Sequence, residues 1–96
     1  MQRKDIIKFL RDNSEKLENY GVKRIGLFGS YKKDKQNKKS DIDIIVKFKH
    51  NEKTFDNYMD LKFYLEDKFS KNVDLVIEED IKEELRSEIM DSVEYA

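Results

Sequence analysis

With 96 residues the chain has room for one domain and a small core, burying about 60–65% of the surface its unfolded form exposes, which excludes a second substrate-binding domain. Charged residues make up 43% of it, yet the formal net charge is only -1; with apolar residues that recur periodically, this excludes a disordered polyelectrolyte and the broad basic surface of a nucleic-acid binder. The absence of cysteine excludes disulfides and thiolate metal sites, and with no apolar run of membrane-span length and no signal-peptide core at the N-terminus, a cytoplasmic protein without a membrane partner is expected.

Residues 5–20 place Ile6, Ile7, Leu10, Leu17 and Tyr20 at helical spacing, and Gly21 supplies a stop. This predicts one structural helix. Residues 22–28 are a short apolar run between glycines and predict a strand. Gly26 inside it marks a close backbone approach or a bulge. Gly29-Ser30 then breaks the strand. Glycine lets a backbone come near a ligand, serine adds a hydroxyl, and the free N–H groups of a short following helix point at an anion. Taken alone, a Gly-Ser dipeptide is more often an ordinary turn. The next stretch holds five lysines (32, 33, 35, 38 and 39) against Asp34. It reads either as a solvated loop or as a device that draws a triphosphate or an acidic partner toward the next strand.

Residues 41–48, DIDIIVKF, predict the second strand. Alternation points Asp41 and Asp43 one way and Ile42, Ile44 and Val46 the other, into a core. Two carboxylates ~6.5 Å apart repel by ~2.5 kcal/mol at an effective dielectric of ~20. That cost argues for a compensating cation, and hard oxygen ligands suit magnesium. His50 lies in a polar loop and has no assigned role. Residues 54–69 predict a long helix with Phe55, Tyr58, Met59, Leu65 and Phe69 on one stripe and Leu61, Phe63 and Tyr64 off it or at its edges. That is more apolar surface than one sheet face needs. Either some aromatics are half exposed or the helix meets another protein.

Residues 72–77, NVDLVI, predict the third strand. A strand–helix–strand unit with about twenty connecting residues implies a parallel crossover, which brings Asp74 near Asp41 and Asp43. A third carboxylate there ligates metal or accepts a proton; an acid opening a strand is also often only solvent-facing. Glu78-Glu79-Asp80 reads as a helix start. Residues 81–90 predict a last helix, packed on the sheet through Ile81, Leu85 and Ile89, and Tyr95 anchors the tail. Eight acids fall between residues 78 and 94 against Lys82 and Arg86. The expected fold is therefore α/β (α+β): a small mixed three-stranded sheet with helices on it, in the order α-β-(short α)-β-α-β-α. One domain covers residues 1–96.

The combination GSYKKDKQNKKSDIDIIV followed by VDLV resembles the minimal, MNT-type nucleotidyltransferases of the DNA polymerase beta superfamily. The family pattern is Gly-Ser, a spacer of about ten residues and an acid-apolar-acid triplet, and the resemblance runs over nearly the whole chain. It implies that Gly29 and Ser30, with Lys33, contact a nucleotide triphosphate. It implies that Asp41, Asp43 and Asp74 are catalytic and hold magnesium, as two ions that clamp the entering and leaving oxygens. The implied reaction is transfer of AMP from ATP to a hydroxyl. The implied role is that of an antitoxin modifying a tyrosine of a HEPN-domain toxin partner. A chain this small needs such a partner, or a second copy in a homodimer, to complete a substrate site. Many family members read Gly-Ser-x-Ala-Arg-Gly, where this chain has Lys32, Lys33 and Asp34. Lysine lacks the bidentate fork of arginine, which leaves a competing reading: a non-catalytic module that neutralises its partner by contact. A third reading, small-molecule nucleotidylation, lacks the extra substrate-binding structure it requires.

Overall fold

The structure is a computed structural model, and it describes residues 1–29 and 41–96. The lysine-rich loop, with Ser30, Lys33 and the short helix expected after Gly29-Ser30, lies outside the described residues.

The N-terminal helical stretch forms two helices, α1 (Arg3–Asp12) and α2 (Ser14–Glu18). Asp5 starts α1 by accepting the Gln2 backbone N–H at 2.8 Å. Asn13 divides the two: its side-chain amide donates to the Phe9 carbonyl at 2.8 Å and competes with the helical ladder. One continuous helix was the expectation. Apolar spacing does not reveal the break, because Leu10 and Leu17 are two turns apart and both stay buried. Gly21, at φ +81°, ends the segment in the left-handed conformation glycine tolerates.

Three longer strands follow the expected pattern: β1 (Val22–Phe28), β2 (Ile42–Phe48) and β3 (Val73–Ile77). β1 and β2 are antiparallel; β2 and β3 are parallel, joined through α3 (Phe55–Phe69), whose N-cap Thr54 accepts the Asn57 N–H. The sheet has four strands rather than three, in the order β3-β2-β1-β4, because the tail adds β4 (Glu94–Tyr95) antiparallel to β1. Two residues are too short for an alternating pattern to announce itself. Gly26 makes the pairing possible: a side chain there would come within 2.8 Å of Val93 and 2.9 Å of the Glu94 carbonyl. It marks a close backbone approach, the first of the two expectations for it.

Ile25, Leu27, Ile42, Ile44, Val46, Val73 and Leu75 face α1 and α3 in one buried cluster. In α3 the buried positions are Leu61, Leu65 and Phe69, whereas Phe55 is 77% exposed. The expected stripe was thus rotated: Leu61 belongs to the core and Phe55 does not. Side chains of α3 also close the free edge of β3. Tyr58 donates its hydroxyl to the Leu75 carbonyl at 2.7 Å, Lys62 donates to the Val73 carbonyl at 2.7 Å, and Glu66 accepts the Val73 N–H at 2.9 Å. An edge satisfied in this way does not recruit another strand. After β3, a 3-10 turn (Glu78–Asp80) leads to α4 (Glu83–Asp91), which has no fully buried residue. Leu85, expected to pack on the sheet, is 47% exposed.

Candidate active site

Strand register determines which side chains meet. Phe28 of β1 opposes Asp43 of β2, and Asp43 is the parallel partner of Asp74 on β3. Partners in register share a face, so Asp43 and Asp74 stand side by side on the sheet surface opposite the helical core. Their neighbours Ile42 and Val73, and Ile44 and Leu75, are paired and buried on the other side. Asp43 is half-buried, while Asp74 is exposed. Asp41 precedes β2 and is exposed. The chain therefore brings Asp43 and Asp74 together on adjacent strands, with Asp41 two residues before Asp43.

Gly29 completes the arrangement. It follows directly on β1 with φ +74°, a conformation that disfavours any side chain. A Cβ at Gly29 would overlap the Asp43 carboxylate itself. The sequence suggests a glycine that admits a ligand to the backbone; the structure adds that its missing side chain is the space the aspartate occupies.

Adjacent strands lie ~4.8 Å apart. Two ionised carboxylates at about 5 Å repel by ~3 kcal/mol at an effective dielectric of ~20. The pair therefore favours a bound cation. Among the described residues no three His, Cys, Asp or Glu side chains form a cluster able to hold a metal ion. Magnesium does not need such a cage. It retains several waters and takes one or two carboxylates together with substrate phosphates. Two in-register aspartates beside an open backbone bend fit that donor set.

The opposite end of the same sheet face carries residues that sequence reasoning missed. Glu78 is the only buried polar or charged side chain among the described residues, at 3% exposure. Arg24 of β1 holds it with two guanidinium hydrogen bonds, one from Nε to Oε2 at 2.9 Å and one from Nη2 to Oε1. Arg86 of α4 donates to the Glu78 backbone carbonyl at 3.0 Å. The Tyr95 ring lies 5.0 Å from the Arg24 guanidinium. Hydrogen bonding to Arg24 holds the Glu78 carboxyl below its ordinary range, while burial pushes the Tyr95 phenol up. The network joins β1, the 3-10 turn, α4 and β4. Only the lone arginine in an apolar strand hinted at it, and nothing in an acid-rich sequence singled out Glu78 as its partner.

A mixed sheet with this strand order, bearing neighbouring carboxylates beside a glycine bend, defines a class of fold and site. The chain belongs to the nucleotidyltransferase domain family, whose model matches residues 4–96. It is 45% identical over 65 residues to an inferred protein adenylyltransferase of Methanocaldococcus jannaschii, a match covering 68% of this chain and 65% of that protein. The chain thus spans just under two thirds of that relative's length. It is 33% identical over 78 residues to the protein adenylyltransferase MntA of Thermococcus cleftensis, covering 81% of this chain and 78% of MntA. Among solved structures, an inferred minimal nucleotidyltransferase shares the fold with a TM-score of 0.83 at 23% identity, covering 98% of this chain and 95% of that one. A toxin–antitoxin with AMP-PNP matches at TM-score 0.70 and 28% identity, covering 99% and 72%. A complex of tri-AMPylated Shewanella oneidensis HEPN toxin with MNT antitoxin matches at TM-score 0.60 and 27% identity, covering 97% and 66%. Among the described residues no helix is long and apolar enough to cross a membrane.

Proposed function

We propose that this chain is a magnesium-dependent protein adenylyltransferase that moves AMP from ATP to a tyrosine hydroxyl of a HEPN-domain toxin and thereby acts as its antitoxin. The observation that carries this reading is the in-register pairing of Asp43 with Asp74 beside Gly29. The relatives named adenylyltransferases and the AMPylated toxin complex support it.

In this reading Asp43 and Asp74, with Asp41 two residues before Asp43, would hold magnesium, which would supply positive charge against the triphosphate and the leaving pyrophosphate. Gly29, with Ser30 and Lys33, is assigned to the phosphates. Asp74, exposed at the rim of the pair, accepts the proton of the incoming hydroxyl. The hydroxyl oxygen bonds to the α-phosphorus, the bond from that phosphorus to the bridging oxygen breaks, and pyrophosphate departs. Atoms balance as ATP plus tyrosine hydroxyl giving adenylyl-tyrosine plus pyrophosphate, with one proton released. The acceptor tyrosine comes from the partner, a reading that the similar complex with a tri-AMPylated HEPN toxin supports.

The test substitutes Asp41 and Asp43 together by Asn and follows both transfer of labelled AMP to the toxin and neutralisation of toxicity. Transfer is expected to fall by at least about a hundredfold through loss of charge stabilisation, and neutralisation to fall with it. Neutralisation that persists, with a wild-type chain that labels nothing, overturns the enzymatic reading in favour of neutralisation by contact.

A further inference from the structure

The solvent side of α3 is built unlike an ordinary solvated helix face. Phe55 is 77% and Phe63 57% exposed, with half-buried Met59 between them. Their spacing of four residues places the three in one oblique stripe. Asp56, Asp60 and Asp67, all exposed, occupy the adjoining surface of the helix. None of these aspartates is held by a cation among the described residues. The nearby lysines are engaged elsewhere: Lys53 with Asp80 at 2.7 Å and Lys62 with Glu66 at 3.0 Å. At the N-terminal end of the stripe, Phe55, Tyr58 and Ile77 line an open apolar pocket of about 220 Å³.

We propose that this face is the docking surface for the toxin partner, and that the partner meets it with a helix or loop presenting an apolar side chain between lysines or arginines. The inference rests on the antitoxin reading above. Apolar area this exposed is costly unless it is covered in the working assembly, and an unneutralised row of aspartates beside it selects a basic rim. The same row argues against a second copy of this chain as occupant. A two-fold contact of α3 on itself sets aspartate against aspartate. The stripe begins beside Ile77 at the end of β3, whereas Asp43 and Asp74 stand on the sheet face away from α3, so a partner seated on the stripe leaves that face uncovered.

The test is titration calorimetry of a HEPN-domain toxin from the same genome against wild type, Phe55→Ala/Phe63→Ala and Asp56→Asn/Asp60→Asn/Asp67→Asn. Sedimentation and melting curves of each chain alone accompany it. Removal of the aromatics is expected to raise Kd about tenfold or more, as for interface anchors, with the melting temperature unchanged. The aspartate variant is expected to weaken binding several-fold at low salt and to flatten its salt dependence. Wild-type binding that both variants retain overturns the docking surface and leaves the antitoxin reading intact. No binding by wild type overturns both. A wild-type dimer that the aromatic substitutions dissociate assigns the face to self-association and overturns the proposal.

Discussion

Gly29 shows how one missing side chain sets a site. Its positive φ and the volume taken by Asp43 are separate constraints on the same position. Gly29→Ala incurs a backbone penalty of roughly 1–2 kcal/mol and in addition displaces the carboxylate. Gly21 is a natural control, since its φ is +81° and a Cβ there would come within 2.6 Å of Glu52, away from the carboxylate pair. Both variants are expected to lower melting temperature by similar amounts. Only Gly29→Ala is expected to lower AMP transfer, by about a hundredfold, when rates are measured well below the melting transition. Equal losses of transfer in the two would show that Gly29 acts through stability alone. The dipeptide and the aspartates were visible in the sequence and their direct contact was not, because it joins the end of β1 to a side chain of β2.

At the scale of elements, α3 is where periodicity misjudged orientation. Its apolar residues are too many for one stripe, so spacing alone leaves the buried arc undetermined. The core selected Leu61, Leu65 and Phe69, while Tyr58, Lys62 and Glu66 turned to the open edge of β3. Leu61→Ala is therefore expected to cost 2–5 kcal/mol, the usual range for a buried leucine truncated in a core, whereas Phe63→Ala is expected to change stability by less than about 0.5 kcal/mol. Urea titrations of the two variants check the contrast. The strands were read more accurately than the helices. β2 puts Ile42, Ile44 and Val46 on the core face as expected, and a one-residue slip would have moved Ile42 and Ile44 out of the core. The division of α1 from α2 escaped because a side-chain hydrogen bond at Asn13, rather than a change in spacing, causes it.

Across the whole molecule, the Arg24–Glu78 pair joins parts far apart in the chain, residues 24 and 78, with Tyr95 stacked against the arginine. Glu78 and Glu66 both have carboxyl groups held below their ordinary range, Glu78 chiefly by Arg24 and Glu66 chiefly by the Val73 N–H. A carboxyl depressed in the folded state contributes stability that is complete above its unfolded pKa and is lost as pH falls through the folded one. Wild type is thus expected to hold its melting temperature near neutral pH and to lose it as pH drops below the normal carboxylate range. Glu78→Gln is expected to cost roughly 1–3 kcal/mol at neutral pH, as Arg24 loses its charged partner, and its gap to wild type to narrow as pH falls through the depressed titration of Glu78. Melting curves from pH 3 to 7 measure this; a gap between the two that does not narrow in acid would deny Glu78 the role.

The sequence by itself determined the strand alternation, the candidate carboxylates and the family resemblance. These depend on residue type and on spacing within a few residues, which local geometry translates directly into faces. Only the tertiary structure decided that Asp43 and Asp74 are in register, that Asp43 fills the space Gly29 leaves open, which face of α3 is buried, and that Tyr95 and Glu94 add a strand. Each of these joins segments tens of residues apart. Such choices follow from closure of the sheet and burial of the core, which no local spacing contains.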